Sequence, residues 1–215
     1  MWSMTRIKMC GISRICDAET VNQIHPDYVG FIFVPSSKRY VTDARAEELK
    51  EILDPAIQKV GVFVNEKPER ILQLAKTGVI DLIQLHGQET EREIQKLKEK
   101  AECPVIKAFR IDEIQDIEKA DKSCADFVLL DSGNGGTGAT FNWELLEKMR
   151  RNYFLAGGLE LTNIKEAVQR FHPFAVDVSS GIETEGKKDP EKMKAFAAAV
   201  RQAERSETVY IQRKP

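Results

Sequence analysis

Two residues of this chain have side chains suited to moving protons, and both stand at the ends of apolar runs. Lys8-Met9-Cys10-Gly11 closes one such run and Phe127–Asp131 is another. A thiol serves as a general base when a neighbouring cation such as Lys8, or the field of a bound ligand, lowers its pKa from about 8.5. A carboxylic acid serves as a general acid when burial or a nearby anion keeps its proton in place. Taken singly, a core cysteine and a helix-capping aspartate are the plainer readings of Cys10 and Asp131. Their company argues for more. Gln84-Leu85-His86-Gly87 ends a third run, Arg39 follows a fourth, and Asp177-Val178-Ser179-Ser180-Gly181 ends the last. A guanidinium at Arg39 suits bidentate capture of a carboxylate, the alternative being a solvated surface charge. His86 alone reads equally well as a structural hydrogen-bonding residue.

Ala156-Gly157-Gly158-Leu159 and Ser179-Ser180-Gly181 point to an anion of another kind. A phosphate is held well by backbone N–H groups converging near a helix N-terminus, and glycine lets the backbone approach without a Cβ in the way. A lone Gly-Gly pair is more often a tight turn, but two glycine-bearing loops after consecutive runs favour phosphate. The segment 132–138 holds four glycines in seven residues. It reads as a loop that closes over substrate, or simply as a flexible connection.

Something must carry these residues to one place. Short β-branched and apolar runs recur at Arg6–Cys10, Tyr28–Val34, Gln58–Val64, Ile80–Leu85, Val105–Arg110, Phe127–Asp131, Tyr153–Ala156 and Phe174–Val178. Between them lie amphipathic segments such as Ala44–Leu53, Pro68–Lys76, Thr90–Lys100, Trp143–Arg150, Thr162–Phe171 and Pro190–Glu204. Thr42-Asp43, Glu89-Thr90 and Asp189-Pro190 supply helix starts. Apolar positions are sparse in Asp112–Lys122, which is expected to be short or irregular. Eight strands alternating with helices predict an α/β fold, a single (β/α)8 TIM barrel over residues 1–215, with 206–215 as a loosely held tail. In such a barrel the strand C-termini and the loops after them carry the chemistry, and the polar residues above fall there. An open doubly wound sheet is the competing architecture.

The remaining sequence mainly excludes. The chain has 215 residues, 42% hydrophobic and 31% charged, with a net charge of −2. That charge gives no general attraction to nucleic acid or to an anionic membrane. No apolar run approaches the roughly 18 residues that span a bilayer, and the first residues contain no signal-peptide core, so a cytoplasmic protein is expected. The four cysteines form no C-x-x-C pair, and no zinc spacing or dinucleotide fingerprint is present.

In this order and spacing the motifs are specific. Lys8-Met9-Cys10-Gly11-Ile12, Arg39-Tyr40-Val41, Gln84-Leu85-His86-Gly87, Gly135-Gly136-Thr137-Gly138 with Phe141 and Trp143, Ala156-Gly157-Gly158-Leu159, Asp177 through Glu183, and Gly186-Lys187-Lys188-Asp189 follow one another along nearly the whole chain. The chain resembles the phosphoribosylanthranilate isomerases of tryptophan biosynthesis, in their monofunctional form. The resemblance implies an Amadori rearrangement with Cys10 as general base and Asp131 as general acid. It further implies that Arg39 holds the anthranilate carboxylate, that Gln84 and His86 lie near the substrate, and that Asp177 binds a sugar hydroxyl. Gly157, Gly158, Ser179, Ser180 and Gly181 would carry the phosphate. The expected partner is a small molecule, the expected assembly a monomer or homodimer, and neither a metal nor an organic cofactor is implied, since proton transfers suffice. Met9 and Asn142 depart from the family pattern at positions outside the chemistry. The rivals are the histidine-pathway isomerase, which resembles this chain less at Cys10 and Arg39, and a silent barrel that only binds phosphorylated ligands.

Overall fold

Alternation with a period of two decides which side chains of this protein meet. Along each strand one set of residues packs outward. Met9, Val29, Phe31, Phe63 and Leu130 join the helices in a continuous apolar layer. The other set packs inward, where Tyr28, Val60, Leu82, Ile106, Leu129 and Phe154 form a separate buried cluster. One sheet divides the two clusters, and it closes on itself.

The computed structural model describes residues 4–131 and 142–211, with side chains through Arg205. Its first half runs β1 (Arg6–Cys10), α1 (Ile15–Ile24), β2 (Tyr28–Ile32), α2 (Asp43–Ile52), β3 (Gln58–Phe63), α3 (Pro68–Lys76), β4 (Leu82–Leu85) and α4 (Glu91–Lys98). The second half continues with β5 (Val105–Arg110), α5 (Ile114–Lys122), β6 (Phe127–Asp131), a 3₁₀ helix (Trp143–Lys148), β7 (Tyr153–Leu155), α6 (Ile164–Phe171) and β8 (Ala175–Val178). A 3₁₀ turn (Ser180–Ile182), a two-residue hairpin of β9 (Glu183–Thr184) and β10 (Lys187–Lys188), and α7 (Pro190–Ile211) complete it. Strands β1 to β8 pair in sequential order, all parallel, into a closed barrel. The open doubly wound sheet is thereby excluded.

Helix starts fall where the sequence places them. The Thr42 hydroxyl accepts from the Arg45 N–H, Thr90 and Glu93 form a reciprocal capping box, and Asp189 accepts from the N–H groups of Glu191 and Lys192. Three expectations need correction. Segment 114–122 is a regular helix, because Asp116 accepts from the N–H groups of Asp112 and Glu113 and fixes its first turn. Trp143–Lys148, expected as an α-helix to Arg150, is 3₁₀. That form rises about 2.0 Å per residue against 1.5 Å for the α form, so six residues cover more distance toward the base of the barrel. Helix α7 runs on to Ile211, so the segment taken for a loose tail from Ser206 is helical for its first six residues. Helix α1 was not anticipated from the sequence. It is weakly amphipathic, and it buries Ala18, Val21 and Ile24.

At the base of the barrel one device repeats. Asp27, Asp81 and Asp126 each precede an even-numbered strand, and each carboxylate accepts the N–H of a residue opening the preceding odd strand. The bonds run from Ile7, Lys59 and Val105 at 2.9, 2.8 and 2.8 Å. Each fixes the register of a strand pair at the end remote from the mouth. Asp81→Ala and Asp126→Ala should therefore each destabilise the fold by about 1 kcal/mol, lowering Tm by roughly 2–4 °C in a protein of this size. Denaturant and thermal unfolding would show this, and catalytic constants per folded molecule should not change.

Candidate active site

The inward residues change character along the strands. Apolar at the base, they become polar toward the C-terminal ends. Lys8 and Asp177 stand opposite each other in the register of β1 and β8. The Lys8 ammonium, wholly buried, donates to both carboxylate oxygens of Asp177 at 2.9 and 2.8 Å. Burial alone would depress the lysine, but Asp177 and then Cys10 outweigh it and leave its pKa above the ordinary value. Cys10 follows two residues on, facing the cleft. Beside it on β2 is Gly30, where a Cβ would lie 2.7 Å from the Cys10 sulfur. Only hydrogen fits there while the sulfur keeps its place.

Across the mouth, β4 and β6 carry Gln84, His86 and Asp131. His86 Nε2 is 3.3 Å from the Asp131 carboxylate, and its Nδ1 lies 2.9 Å from Gln84 Nε2. With the amide so oriented, Gln84 donates to Nδ1, which leaves the imidazole proton on Nε2, directed at Asp131. Gln84 Oε1 is buried and has no hydrogen-bond partner among the described residues, an acceptor open to a ligand hydroxyl.

The loops after β7 and β8 supply the third wall. Gly157 and Gly158 both have left-handed backbones, φ +82° and +67°, a succession that a side chain would strain. Asn163 braces this turn by donating to the Gly158 carbonyl at 2.8 Å. Gly181 does not line the cleft. It seals the contact between the two loops, since a Cβ there would stand 2.0 Å from the Leu159 carbonyl oxygen. The Ser179 hydroxyl donates to the Cys10 carbonyl at 3.1 Å, tying the β8 loop to the end of β1.

These walls enclose a cavity of about 270 Å³, lined by Cys10, Arg39, Gln84, His86, Asp131, Gly157, Gly158, Asp177, Ser179 and Ser180 among others. The structure thus brings to one cleft every site residue expected from the sequence except Gly181, which stands behind it. Gly135-Gly136-Thr137-Gly138 and Phe141, with the expected loop closure, lie outside the described residues. Two further residues shape the site without having been anticipated, Glu183 and Gly30. Glu183 accepts from Arg39 Nε and Nη2 at 2.6 and 2.7 Å, so the guanidinium expected to meet a ligand is already held on one edge. Both Asp177 oxygens are likewise engaged, by Lys8. Among the described residues no group of three or more His, Cys, Asp or Glu is placed to hold a metal ion, and no helix is long and apolar enough to cross a membrane.

A parallel eight-stranded barrel with titratable groups collected at its C-terminal mouth is the architecture of barrel enzymes that work by acid–base catalysis. The family model for N-(5'-phosphoribosyl)anthranilate isomerase matches residues 7–199, and the chain belongs to that family. It is 44% identical over 204 residues to the N-(5'-phosphoribosyl)anthranilate isomerase of Thermoanaerobacter sp. (strain X514), covering 92% of this chain and 98% of the relative. A structure of monomers of the dimeric phosphoribosylanthranilate isomerase of Thermotoga maritima superposes with a TM-score of 0.81 at 38% identity, covering 93% of this chain and 100% of the other. A phosphoribosylanthranilate isomerase in complex with reduced 1-(o-carboxyphenylamino)-1-deoxyribulose 5-phosphate gives a TM-score of 0.82, with the same identity and coverage.

Lys8 does not bring Cys10 below its ordinary pKa. Burial is the largest influence and raises it. Lys8 and Lys188 pull the other way, Asp177 adds to the rise, and the outcome is a thiol above its ordinary value. Lys8 cannot dominate because Asp177 already neutralises it. The ultraviolet thiolate absorbance of the ligand-free protein, taken as the difference from Cys10→Ala, should therefore titrate above the value of about 8.5 for a free cysteine. A midpoint well below that would show that the cations outweigh burial.

Proposed function

We infer that this chain catalyses the Amadori rearrangement of N-(5-phosphoribosyl)anthranilate to 1-(2-carboxyphenylamino)-1-deoxyribulose 5-phosphate, a step of tryptophan biosynthesis. The observation that carries the reading is that Cys10 and Asp131, from strands β1 and β6, line one cavity together with the glycine turn of β7 and the serines after β8. Family membership agrees, as does a related isomerase crystallised with a reduced form of that product.

The chemistry needs two proton transfers at different atoms. Asp131 gives a proton to the furanose ring oxygen, and the C1–O bond breaks to leave a protonated imine at C1. The Cys10 thiolate then takes the proton from C2, whose electron pair enters the C1–C2 bond as the imine is discharged. The resulting enolamine tautomerises to the ketone. The imine nitrogen serves as electron sink throughout. Arg39 holds the anthranilate carboxylate. Asp177, fixed on Lys8, and Gln84 Oε1 are placed for sugar hydroxyls, and His86 steadies Asp131 between its protonated and ionised forms. Gly157, Gly158, Ser179 and Ser180 form the phosphate seat, and Gly181 behind them lets the two loops meet. Because the resting thiol is protonated at neutral pH, the competent base is a minority form that increases with pH. On the acid side the rate should therefore climb with pH.

We place the enzyme in the cytoplasm, since a substrate bearing a phosphate and a carboxylate does not cross a bilayer unaided. It acts as a monomer or homodimer.

Anthranilate-type fluorescence falling in proportion to enzyme, when phosphoribosylanthranilate is supplied, is the direct assay. Cys10→Ala and Asp131→Asn should each lower turnover at least ~10²-fold with unfolding curves unchanged, as expected for removal of one acid–base group. Turnover near that of the parent in either variant would reassign the role. Arg39→Ala should act chiefly by raising KM, and an unaltered KM would remove it from substrate recognition.

A further inference from the structure

Arg39 has five N–H donors, and the structure commits only one side of them. Nε and one Nη2 hydrogen meet the Glu183 carboxylate. The end of the fork, formed by Nη1 and the second Nη2 hydrogen, can grip another planar carboxylate in the same bidentate way. Glu183 is itself anchored. It stands beside Lys188 in the β9–β10 hairpin, turned tightly by left-handed Glu185 and Gly186 at φ +50° and +74°. The Lys188 ammonium donates to Glu183 at 2.6 Å and to the Ser179 carbonyl at 2.8 Å. The Lys192 ammonium donates to the Glu183 carbonyl at 2.7 Å. From behind, Gly11 lets the arginine stem lie flat, since a Cβ at that position would be 2.5 Å from Arg39 Cδ.

The charges count in the same direction. Among the side chains that pair directly, Arg39 and Lys188 are two cations and Glu183 is one anion, and the Lys192 ammonium stands close by, so the cluster presents net positive charge at the rim of the cleft, which suits an anionic ligand group. The Glu183 and Lys188 side chains are only 6% and 2% exposed, where water screens little and geometry is held firmly. Lys8 and Asp177 cancel each other and add nothing.

We propose that Glu183 is a positioning residue for substrate selection. It fixes the Arg39 guanidinium side-on so that the free end of the fork receives the aromatic carboxylate, and through Lys188 it ties this contact to the Ser179 loop. A substrate with a carboxyl ortho to its nitrogen is thereby distinguished from a plain anilino sugar phosphate. This rests on the reading of Arg39 as the carboxylate-binding group.

Two stable ligands test it: the reduced product analogue 1-(2-carboxyphenylamino)-1-deoxyribitol 5-phosphate, and the same compound without the ring carboxylate. Their affinities are measured by calorimetry for the parent, Glu183→Ala, Glu183→Gln, Arg39→Ala and the double variant Glu183→Gln with Arg39→Ala. The expected result is that Glu183→Gln weakens the carboxylated ligand about tenfold, the scale of one charged hydrogen bond, and leaves the plain ligand within about twofold. In the Arg39→Ala background the Glu183→Gln change should have no further effect on the preference. Equal losses for both ligands, or none for either, would overturn the proposal and reduce Glu183 to scaffolding. A preference that survives Arg39→Ala would instead overturn the carboxylate reading of Arg39, and the proposal with it. If Glu183→Ala does not fold, the near-isosteric Glu183→Gln carries the comparison.

Discussion

A buried ammonium governs this cleft. Lys8 lies inside the barrel with no access to water, and a cation in such a place is tolerable only when it is paired and hydrogen-bonded. Asp177, its neighbour across the β1–β8 seam, accepts with both oxygens. The pair forms the floor on which the mouth is built, with packed aromatic and aliphatic side chains below and polar groups above. It also sets the electrostatics of Cys10. A lone lysine two residues away would draw the thiol toward ionisation, whereas a neutralised one leaves burial in control. The thiol is thus held above its ordinary value.

Strength and chemistry are spread over opposite ends of the molecule. At the base, Asp27, Asp81 and Asp126 lock successive strand pairs. Toward the mouth, ion pairs between loops take over. Lys107 and the N–H groups of Asn65 and Gly87 converge on Glu89, fixing the segment that bears His86. Glu183, Lys188 and Arg39 do the same on the opposite side. Burial would raise the carboxyls of Glu89 and Glu183, yet their cationic partners hold both below the ordinary range. Such anchored loops present side chains with little conformational freedom, which is what differential binding of a transition state requires.

Much of this was legible in the sequence because it follows from local pattern. Alternating apolar runs marked the strands, and the polar residues at their ends marked the mouth, so Cys10, Gln84, Asp131 and Asp177 could be placed on one face before any coordinates. Two kinds of feature escaped. Contacts over long separations, such as Arg39 with Glu183, depend on how the barrel brings the second and eighth loops together, and no spacing encodes that. Quantities that depend on burial escaped too. The sequence shows Lys8 near Cys10 but not the desolvation that outweighs it. Helix α1 was obscure for a third reason. Its β-branched Thr20 and Val21 and its polar Asn22 are indifferent helix formers, and packing against the barrel holds the segment in place.

Gly30 bears on how such a site can change over generations. Residue 30 stands behind the sulfur on the adjoining strand, and its only substituent on the cleft side is a hydrogen. Any larger residue there must displace the thiol, so a substitution at 30 reshapes the cleft although it leaves every polar group that lines it intact. Positions 10 and 30 therefore form a single heritable unit. A side chain of another shape at 10 would meet the same wall, so each position limits what the other can carry.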